Sequence, residues 1–166
     1  MSGVREHSEQ ASLGNLAGKY LTLRLENELY GIQVSQVLEI IRPLPITRIP
    51  HAEPSIRGVI NLRGKVISIQ DLRRFLGLGT VEMTALCVIV ILEHVDGEGR
   101  AWLRGLLVDE VLDVVDVKAE QIDLPPVAAG GGSAEYIRGI TTLGEAVFFI
   151  LDIERALRRV TQTSGA

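Results

Sequence analysis

The chain of 166 residues contains two diverged copies of one sequence unit, and this repeat constrains the fold more than any other feature. Residues 56–76 and 137–157 align without gaps, and nine of the 21 positions are identical. Upstream of them, residues 31–41 and 105–115 share four of eleven positions. The first pair is offset by 81 residues and the second by 74, so seven extra residues lie in the second copy, where a Pro- and Gly-rich loop covers 124–136. A duplicated unit of about half the chain explains both matches.

Both copies are predicted to consist mainly of β-strands. Leucines alternate with polar residues over 21–25, which is the period of a strand with one buried face. The continuous apolar run 86–92 predicts a strand buried on both faces, and the short segments 66–69 and 147–151 are rich in β-branched or aromatic residues. We therefore expect each copy to form a small barrel or curled sheet with one appended helix. Because a unit this small buries little surface alone, the two are expected to share a hydrophobic core.

Aspartates and glycines at matched positions predict where these elements bend or end. Asp71 and Asp152 stand where a short helix would begin, since an Asp at this position accepts a backbone N–H. Gly77 is predicted to end the first of these helices. Gly31 and Gly105 also occupy matched positions, and they predict a bend or bulge where a barrel strand turns a corner.

Composition narrows the class of protein. Hydrophobic residues make up 46% of the chain and aromatic residues only 4%, so the core must be mostly aliphatic. The formal net charge of −4 lacks the basic excess typical of nucleic-acid binding. The single cysteine, Cys87, excludes a disulfide within the chain and fits a reducing compartment.

The two termini are expected to lie outside the fold. Residues 1–18 are small and polar, without the apolar stretch of a secretory signal, and no apolar run approaches the length of a membrane span. We predict a disordered lead-in over 1–18, a single domain over 19–158 made of two intertwined subdomains (roughly 19–80 and 81–158), and a flexible tail over 159–166. A cytoplasmic protein without direct membrane insertion is expected.

A search for catalytic chemistry predicts neither an enzyme nor a cofactor or metal. The nearest lookalike is a P-loop, which needs four residues between its glycines and a Ser or Thr after the Lys. Here five residues separate Gly58 from Gly64, and Val66 follows Lys65. Cys87 lies in an apolar run and is interpreted as a core residue. The three histidines lack further ligands at metal-binding spacing (His7, His51, His94).

Basic residues are concentrated in the first copy, at Arg57, Arg63, Lys65, Arg73 and Arg74. One interpretation is a solvated strand edge, on which positive side chains discourage unwanted pairing. The other is a contact face for an acidic partner. Nucleic acid ranks third, because no aromatic residues are interleaved for base stacking.

The segment IPHAEPSIRGVINLRGKVISIQDLRRFLGL resembles the CheW family of bacterial chemotaxis coupling proteins. The likeness covers roughly residues 20–158 and continues through YGIQVSQVLEII, GLLVDEVLDV, EQIDLPP and YIRGITTLGEAVFFILDIERAL. It implies an all-β fold with short helices: two pseudo-symmetric five-stranded SH3-like β-barrels that share a hydrophobic core. It also implies a protein with no catalytic activity and no cofactor.

The resemblance implies a scaffold in a chemosensory array, recruited to the membrane through receptors. It would couple the cytoplasmic tip of chemoreceptors (methyl-accepting chemotaxis proteins) to the regulatory CheW-like domain of a CheA-type histidine kinase. One alternative is an adaptor of a specialised array for motility, pili or biofilm signalling. Another is a stand-alone CheW-like input domain with other protein partners. Weak self-association through exposed barrel edges stays open.

The resemblance also implies a receptor-contact surface made of seven residues: Val34, Val37, Glu39, Gly58, Arg63, Gly105 and Val111. A helical turn over 34–38 would place Val34 and Val37 on one side, either as apolar anchors for a helix of the receptor or as core residues. Gly58 would leave room for close approach of the partner.

Glu39 and Arg63 form the informative charged pair of this surface. Their counterparts in the second copy are Asp113 and Gly144, so the pair exists only in the first copy. We hypothesise that Arg63 meets Glu39 across the barrel and orders the contact surface. Otherwise both are independent solvated charges. Trp102, beside a polar Gly-rich turn, is either a packing residue or an exposed anchor.

Overall fold

The computed structural model describes residues 15–125 and 135–157, which form two β-sheets joined by short helices. The strands are β1 (Gly18–Leu25), β2 (Glu28–Gln33), β3 (Val37–Ile41), β4 (Ile56–Leu62), β5 (Lys65–Asp71), β6 (Val88–Val95), β7 (Ala101–Val108), β8 (Glu110–Val117), β9 (Ile122–Asp123), β10 (Ile137–Leu143) and β11 (Ala146–Leu151). Helix α1 is Leu72–Phe75, helix α2 begins at 153 and is described to 157, and 3-10 turns cover Val34–Gln36 and Ala119–Gln121. The predicted all-β fold with short helices is confirmed.

The two sequence copies exchange strands. The six-stranded sheet, here called barrel A, has the order β8-β1-β2-β11-β10-β9, and the five-stranded sheet, barrel B, has the order β3-β6-β7-β5-β4. Each barrel therefore takes one hairpin from one copy (β1–β2 in barrel A, β6–β7 in barrel B) and the strands on both sides of it from the other copy. The expectation that each copy would form its own barrel is wrong, because the first hairpin of each copy pairs with strands of the other.

The exchange produces matching parallel pairs at the centre of both barrels. Gly31 of β2 lies opposite Ile150 of β11, and Gly105 of β7 lies opposite Ile69 of β5. Gly31 and Gly105 differ by 74 positions, and Ile69 and Ile150 differ by 81, which are the two offsets of the sequence repeat. The pseudo-symmetry of the sequence is therefore also the pseudo-symmetry of the fold.

Three apolar clusters form the core. The cluster of barrel B receives side chains from all five of its strands, including Ile60, Ile69 and Ile91, and the cluster of barrel A is centred on Tyr20 and Phe148. A sheet whose strands all point into one cluster must curl around it. The third cluster, here called the shared core, lies between the barrels and receives residues of β1, β2, β6, β7 and both helices. The predicted shared core is confirmed.

The predicted helix starts agree with the structure. The Asp71 carboxylate accepts a hydrogen bond from the Arg74 N–H at 3.1 Å, and the Asp152 carboxylate accepts one from the Arg155 N–H at 3.1 Å. Gly77 follows α1 with a φ of 75°, the left-handed conformation that favours glycine at a helix end.

The bulge predicted at Gly31 and Gly105 is wrong. Neither glycine interrupts the register of its described strand pairs. Instead, a Cβ on Gly31 would lie 2.9 Å from the Phe148 ring, and one on Gly105 would lie 2.5 Å from Ile69 Cδ1. These glycines make room for large side chains inside the barrels.

The burial of two strands refines the sequence prediction. Residues 89–92 of β6 are fully buried, as the apolar run predicted, but Leu86 precedes the strand and is exposed. In β1, the alternating leucines face the shared core, while Tyr20 and Thr22 on the opposite face are also buried. Strand β1 has both faces covered because one packs against the shared core and the other faces the cluster inside barrel A.

The predicted ends of the chain are described only in part. Residues 1–14, the tail over 159–166 and most of the Pro- and Gly-rich loop lie outside the described residues. Within the predicted lead-in, Leu16 is buried and its carbonyl accepts a hydrogen bond of 2.5 Å from the Tyr20 hydroxyl. Residues just before the predicted boundary at residue 19 thus pack against the fold.

Candidate protein-interaction surface

An ion pair joins the two edges of barrel B. Strands β3 and β4 are the edges of this sheet, and Arg63 occupies the two-residue turn between β4 and β5. Arg63 Nη1 donates to Glu39 Oε1 at 3.1 Å and Nη2 donates to Glu39 Oε2 at 2.5 Å. The guanidinium thus binds both carboxylate oxygens in a bidentate geometry, which gives an Arg–carboxylate pair its directionality. The hypothesis that Arg63 meets Glu39 across the barrel agrees with this geometry.

The turn conformation fixes the position of Arg63. Its φ is 50° and that of Gly64 is 86°, so both turn residues adopt the positive φ that a type I′ hairpin requires. Hydrogen bonding from Arg63, followed by its charge, lowers the pKa of the Glu39 carboxyl, while partial desolvation opposes this shift. Hydrogen bonding to Glu39 raises the pKa of Arg63 in return. Because both groups face solvent, the pair positions the side chains more than it stabilises the fold.

The second copy carries no such pair. Gly144 stands in the equivalent turn of the β10–β11 hairpin, with a φ of 61° and no side chain. At the position equivalent to Glu39, the Asp113 carboxylate accepts a hydrogen bond from the Val114 N–H at 2.9 Å. The pair therefore makes the two barrels chemically different at matched places.

Three valines of the predicted surface line the seam between the barrels. Val34 opens a 3-10 turn, Val37 begins β3 and Val111 lies in β8, and all three are half-buried against the shared core. The predicted helical turn over 34–38 is shorter than expected, because β3 starts at Val37. Each of these valines packs against the shared core with part of its side chain and leaves the rest exposed to solvent.

The two predicted glycines do not lie on the surface. Gly58 is buried with a φ of 146°, and a Cβ there would lie 2.1 Å from the carbonyl oxygen of Thr47. Thr47 and Val59 exchange two backbone hydrogen bonds of 2.8 Å, so the chain after β3 crosses Gly58 and closes the barrel. The room that Gly58 leaves is thus filled by this chain, which corrects its predicted role in close approach of a partner. Gly105 is likewise buried, beneath Ile69.

Sequence reasoning missed an apolar pair on matched edge strands. Leu38 of β3 is 54% exposed, and its equivalent Leu112 of β8 is 45% exposed. Each is the unpaired residue of a β-bulge, since the register skips it against the neighbouring strand. Ile40 and Val114, two residues further along each strand, are exposed as well. The repeat aligns both pairs, so the signal was present, but the bulge disturbs the alternation that would have shown which side chains face outward.

The hairpin turns carry further exposed apolar residues. Val66 is 72% exposed beside the turn that holds Arg63, and its equivalent Val147 is also exposed. Trp102 is 40% exposed, and its Nε1 donates to an Asp96 carboxylate oxygen at 3.3 Å. Trp102 lies in β7, next to the loop of the β6–β7 hairpin. This loop covers residues 96–100 and is three residues longer than the two-residue loop of the equivalent β1–β2 hairpin.

The segment that resembled a P-loop has a different structure. Residues 58–66 run from a strand through a turn into a strand, so no helix N-terminus faces the turn. Cys87 is buried in the cluster of barrel B, and its thiol donates to the Glu82 carbonyl at 2.9 Å, in agreement with a core role. Within the described ranges, no helix is long and apolar enough to span a bilayer.

Two strand-exchanged barrels with apolar side chains on matched edges define a double β-barrel protein whose exposed edges can contact other proteins. Comparisons with known proteins agree. The sequence model of the protein family described as the CheW-like domain matches residues 19–161 of this chain. The chain is 36% identical over 152 residues to the chemotaxis protein CheW of Klebsiella aerogenes, with 89% of each chain covered. It is also 27% identical over 150 residues to the protein FrzA of Myxococcus xanthus, covering 89% of this chain and 90% of that one.

A solved structure supports the same assignment. The crystal structure of the scaffolding protein TtCheW from Thermoanaerobacter tengcongensis is similar with a TM-score of 0.71 and 30% identity, covering 81% of this chain and 84% of that chain. The chain belongs to the CheW-like family. The prediction of a non-enzymatic chemotaxis adaptor is thereby confirmed.

Proposed function

We propose that this chain binds the cytoplasmic tip of a chemoreceptor at the seam between its barrels and the regulatory CheW-like domain of a CheA-type kinase at the barrel ends. The observation that carries the proposal is the Glu39–Arg63 pair, which fixes a directional polar group beside half-exposed valines. The chain would be cytoplasmic and would reach the membrane only through the receptor.

The receptor side of the proposal depends on the seam. A receptor tip is a helical hairpin, and an apolar helix face fits a groove lined by apolar side chains. Val34, Val37 and Val111 all touch the shared core and keep part of their surface free, so they can contact such a helix. Glu39 and Arg63 would then contribute polar contacts at the rim of the groove, where charge sets register more than affinity.

The kinase side depends on pseudo-symmetry. A partner with the same double-barrel fold presents apolar positions equivalent to those of this chain. Val66 and Val147, at matched hairpins of barrels B and A, are exposed apolar residues at such positions. Because the two are on different barrels, the chain can contact two partners at once, as a linker in an array requires.

The test is binding of purified partners encoded in the same genome. A receptor cytoplasmic fragment should bind the wild-type chain, and Arg63→Ala should weaken this binding. Arg100→Ala is a matched control, because Arg100 is an equally exposed arginine paired with Glu98 on a different hairpin. Equal receptor binding by wild type, Arg63→Ala and Arg100→Ala would reject the placement of the receptor face.

The likeness to FrzA favours one second candidate, an adaptor of a specialised array. The same surfaces would be used, and only the receptor and the output would differ. Binding to the receptor of one gene cluster, and not to those of others in the genome, would distinguish these two functions. A stand-alone input domain would bind neither receptor nor kinase.

A further inference from the structure

A polar cavity of about 530 Å³ lies between the chain that follows β3 and helix α1. Arginines from three separate elements line it: Arg48 from the connecting segment, Arg57 from β4 and Arg74 from α1. His51 and Glu53 complete the polar lining. The concentration of positive charge is notable in a chain whose formal net charge is −4.

The two carboxylates near the cavity are already engaged. Asp71 is fully buried and lies 3.5 Å from Arg57 Nη1, so it balances that arginine. Glu53 accepts hydrogen bonds from the Ser55 N–H and hydroxyl, and its charge acts on the buried guanidinium of Arg104. Asp71 thus balances Arg57, while Glu53 keeps its charge in the lining and offsets one of the three arginines in part.

Arg48 and Arg74 are exposed arginines of the cavity wall. Over residues 15–125 and 135–157, no carboxylate lies within ion-pair distance of either guanidinium. Arg74 is nevertheless held in place, because its Nε donates to the Thr80 hydroxyl at 3.0 Å and its Nη1 donates to the Pro54 carbonyl at 3.1 Å. A guanidinium has five N–H donors, so Arg74 has donors left for a ligand.

We propose that this cavity binds a phosphorylated small molecule through Arg48, Arg57 and Arg74. A phosphate monoester carries a charge of about −1.5 to −2 at neutral pH, so the positive excess of this lining attracts it. Arginine suits this group because its planar donors meet two phosphate oxygens at once. The volume lies in the usual range for ligand cavities and exceeds what one phosphate group needs, so there is room for the organic part as well.

This proposal is independent of the proposed coupling role, since a scaffold can bind a small anion whether or not it contacts a receptor. The basic residues of the first copy also separate in space. Arg63 turns to Glu39 and Arg73 pairs with Asp109, while Arg57 and Arg74 face the cavity together with Arg48.

The experiment is isothermal titration calorimetry of the full chain at constant ionic strength, with inorganic phosphate, pyrophosphate and ADP as probes. Binding of pyrophosphate or ADP more tightly than inorganic phosphate is expected if the organic or second phosphate group occupies the remaining volume. Arg74→Gln and Arg48→Gln should each weaken binding about tenfold or more, the effect of losing a hydrogen bond to a charged group. Unchanged melting temperatures of the free variants would show that they fold.

Arg155→Gln is the matched control. Arg155 is the equivalent of Arg74 in the second copy, and its Nη1 donates to the Glu135 carbonyl at 3.4 Å, but it does not line this cavity. It should bind the probes like the wild type. The proposal is overturned if the wild type binds none of the three probes at millimolar concentration, or if Arg155→Gln weakens binding as much as Arg74→Gln. Binding of a polyglutamate peptide instead of the phosphates would also overturn it, in favour of an acidic protein segment.

Discussion

Arg63 in the β4–β5 turn holds Glu39 of β3 through hydrogen bonds of 3.1 and 2.5 Å, and this pair joins the two edge strands of barrel B. The segment after β3 also closes this barrel, because Thr47 exchanges two backbone hydrogen bonds with Val59 of β4. Two links thus join the β3 side of barrel B to the β4–β5 hairpin. The geometry gives several measurable consequences.

The pair should be visible in the titration of Glu39. Because Arg63 lowers the pKa of the Glu39 carboxyl in the folded chain, the pair is intact at neutral pH and is lost as pH falls through that lowered pKa. NMR titration of the Glu39 side chain should therefore give a midpoint below that of an ordinary glutamate. In Arg63→Ala, the midpoint should rise. An unchanged midpoint in this variant would show that the pair does not persist in solution.

Neighbouring residues of β3 should respond differently to a charge. Val37 packs against the shared core, so Val37→Asp should lower the free energy of unfolding by about 1–3 kcal/mol, the cost of burying a poorly paired polar group. Leu38 is the exposed residue of the bulge, so Leu38→Asp should change it by no more than about 0.5 kcal/mol. Urea unfolding measures both. Equal losses would contradict the assignment of Leu38 to the surface.

Gly58 should matter for folding rather than for partner contact. Its positive φ and the nearby Thr47 carbonyl leave no space for a side chain, so Gly58→Ala should cost about 3 kcal/mol or more. Gly64→Ala is the control, because Gly64 has a positive φ but open space around it, and it should cost about 1–2 kcal/mol. Thermal and urea unfolding compare the two. If Gly58→Ala were as stable as Gly64→Ala, the close approach of Thr47 would be wrong.

Strand exchange predicts that neither half folds alone. A fragment of residues 1–80 would lack the central strands β6 and β7 of barrel B, and a fragment of residues 81–166 would lack β1 and β2 of barrel A. Each fragment should be unfolded by circular dichroism and by NMR dispersion, and mixing the two should restore strand signals. A folded single fragment would show that the copies can form barrels separately.

The sequence repeat predicted much of this fold, and the limits of that prediction are physical. The alternation in residues 21–25 and the Asp caps depend on local geometry, so they could be read directly. The exchange of strands could not, because hydrophobic pattern shows which face of a strand is buried but not which copy supplies its neighbour. The prediction that Gly58 leaves room for a partner was wrong for the same reason. Thr47, which fills that room, is separated from Gly58 along the sequence but adjacent to it in space.

The candidate surface was predicted unevenly. The family resemblance indicated Glu39 and Arg63, and the comparison of the two copies singled them out as a pair, because the second copy has Gly144 in place of the arginine. Leu38 and Leu112 escaped notice because a β-bulge shifts the phase of the alternation, and no single sequence marks where a bulge falls. Arg48 was missed because its role depends on the cavity that the connecting segment forms with α1.

The most direct test of the adaptor role is reconstitution of kinase control. A receptor cytoplasmic fragment, a CheA-type kinase from the same genome and this chain are combined, and autophosphorylation of the kinase is measured with each component omitted in turn. We predict that receptor-dependent control of the kinase requires the wild-type chain, is reduced with Arg63→Ala and is retained with Arg100→Ala. Receptor control of the kinase that is identical with and without the chain would contradict the coupling role.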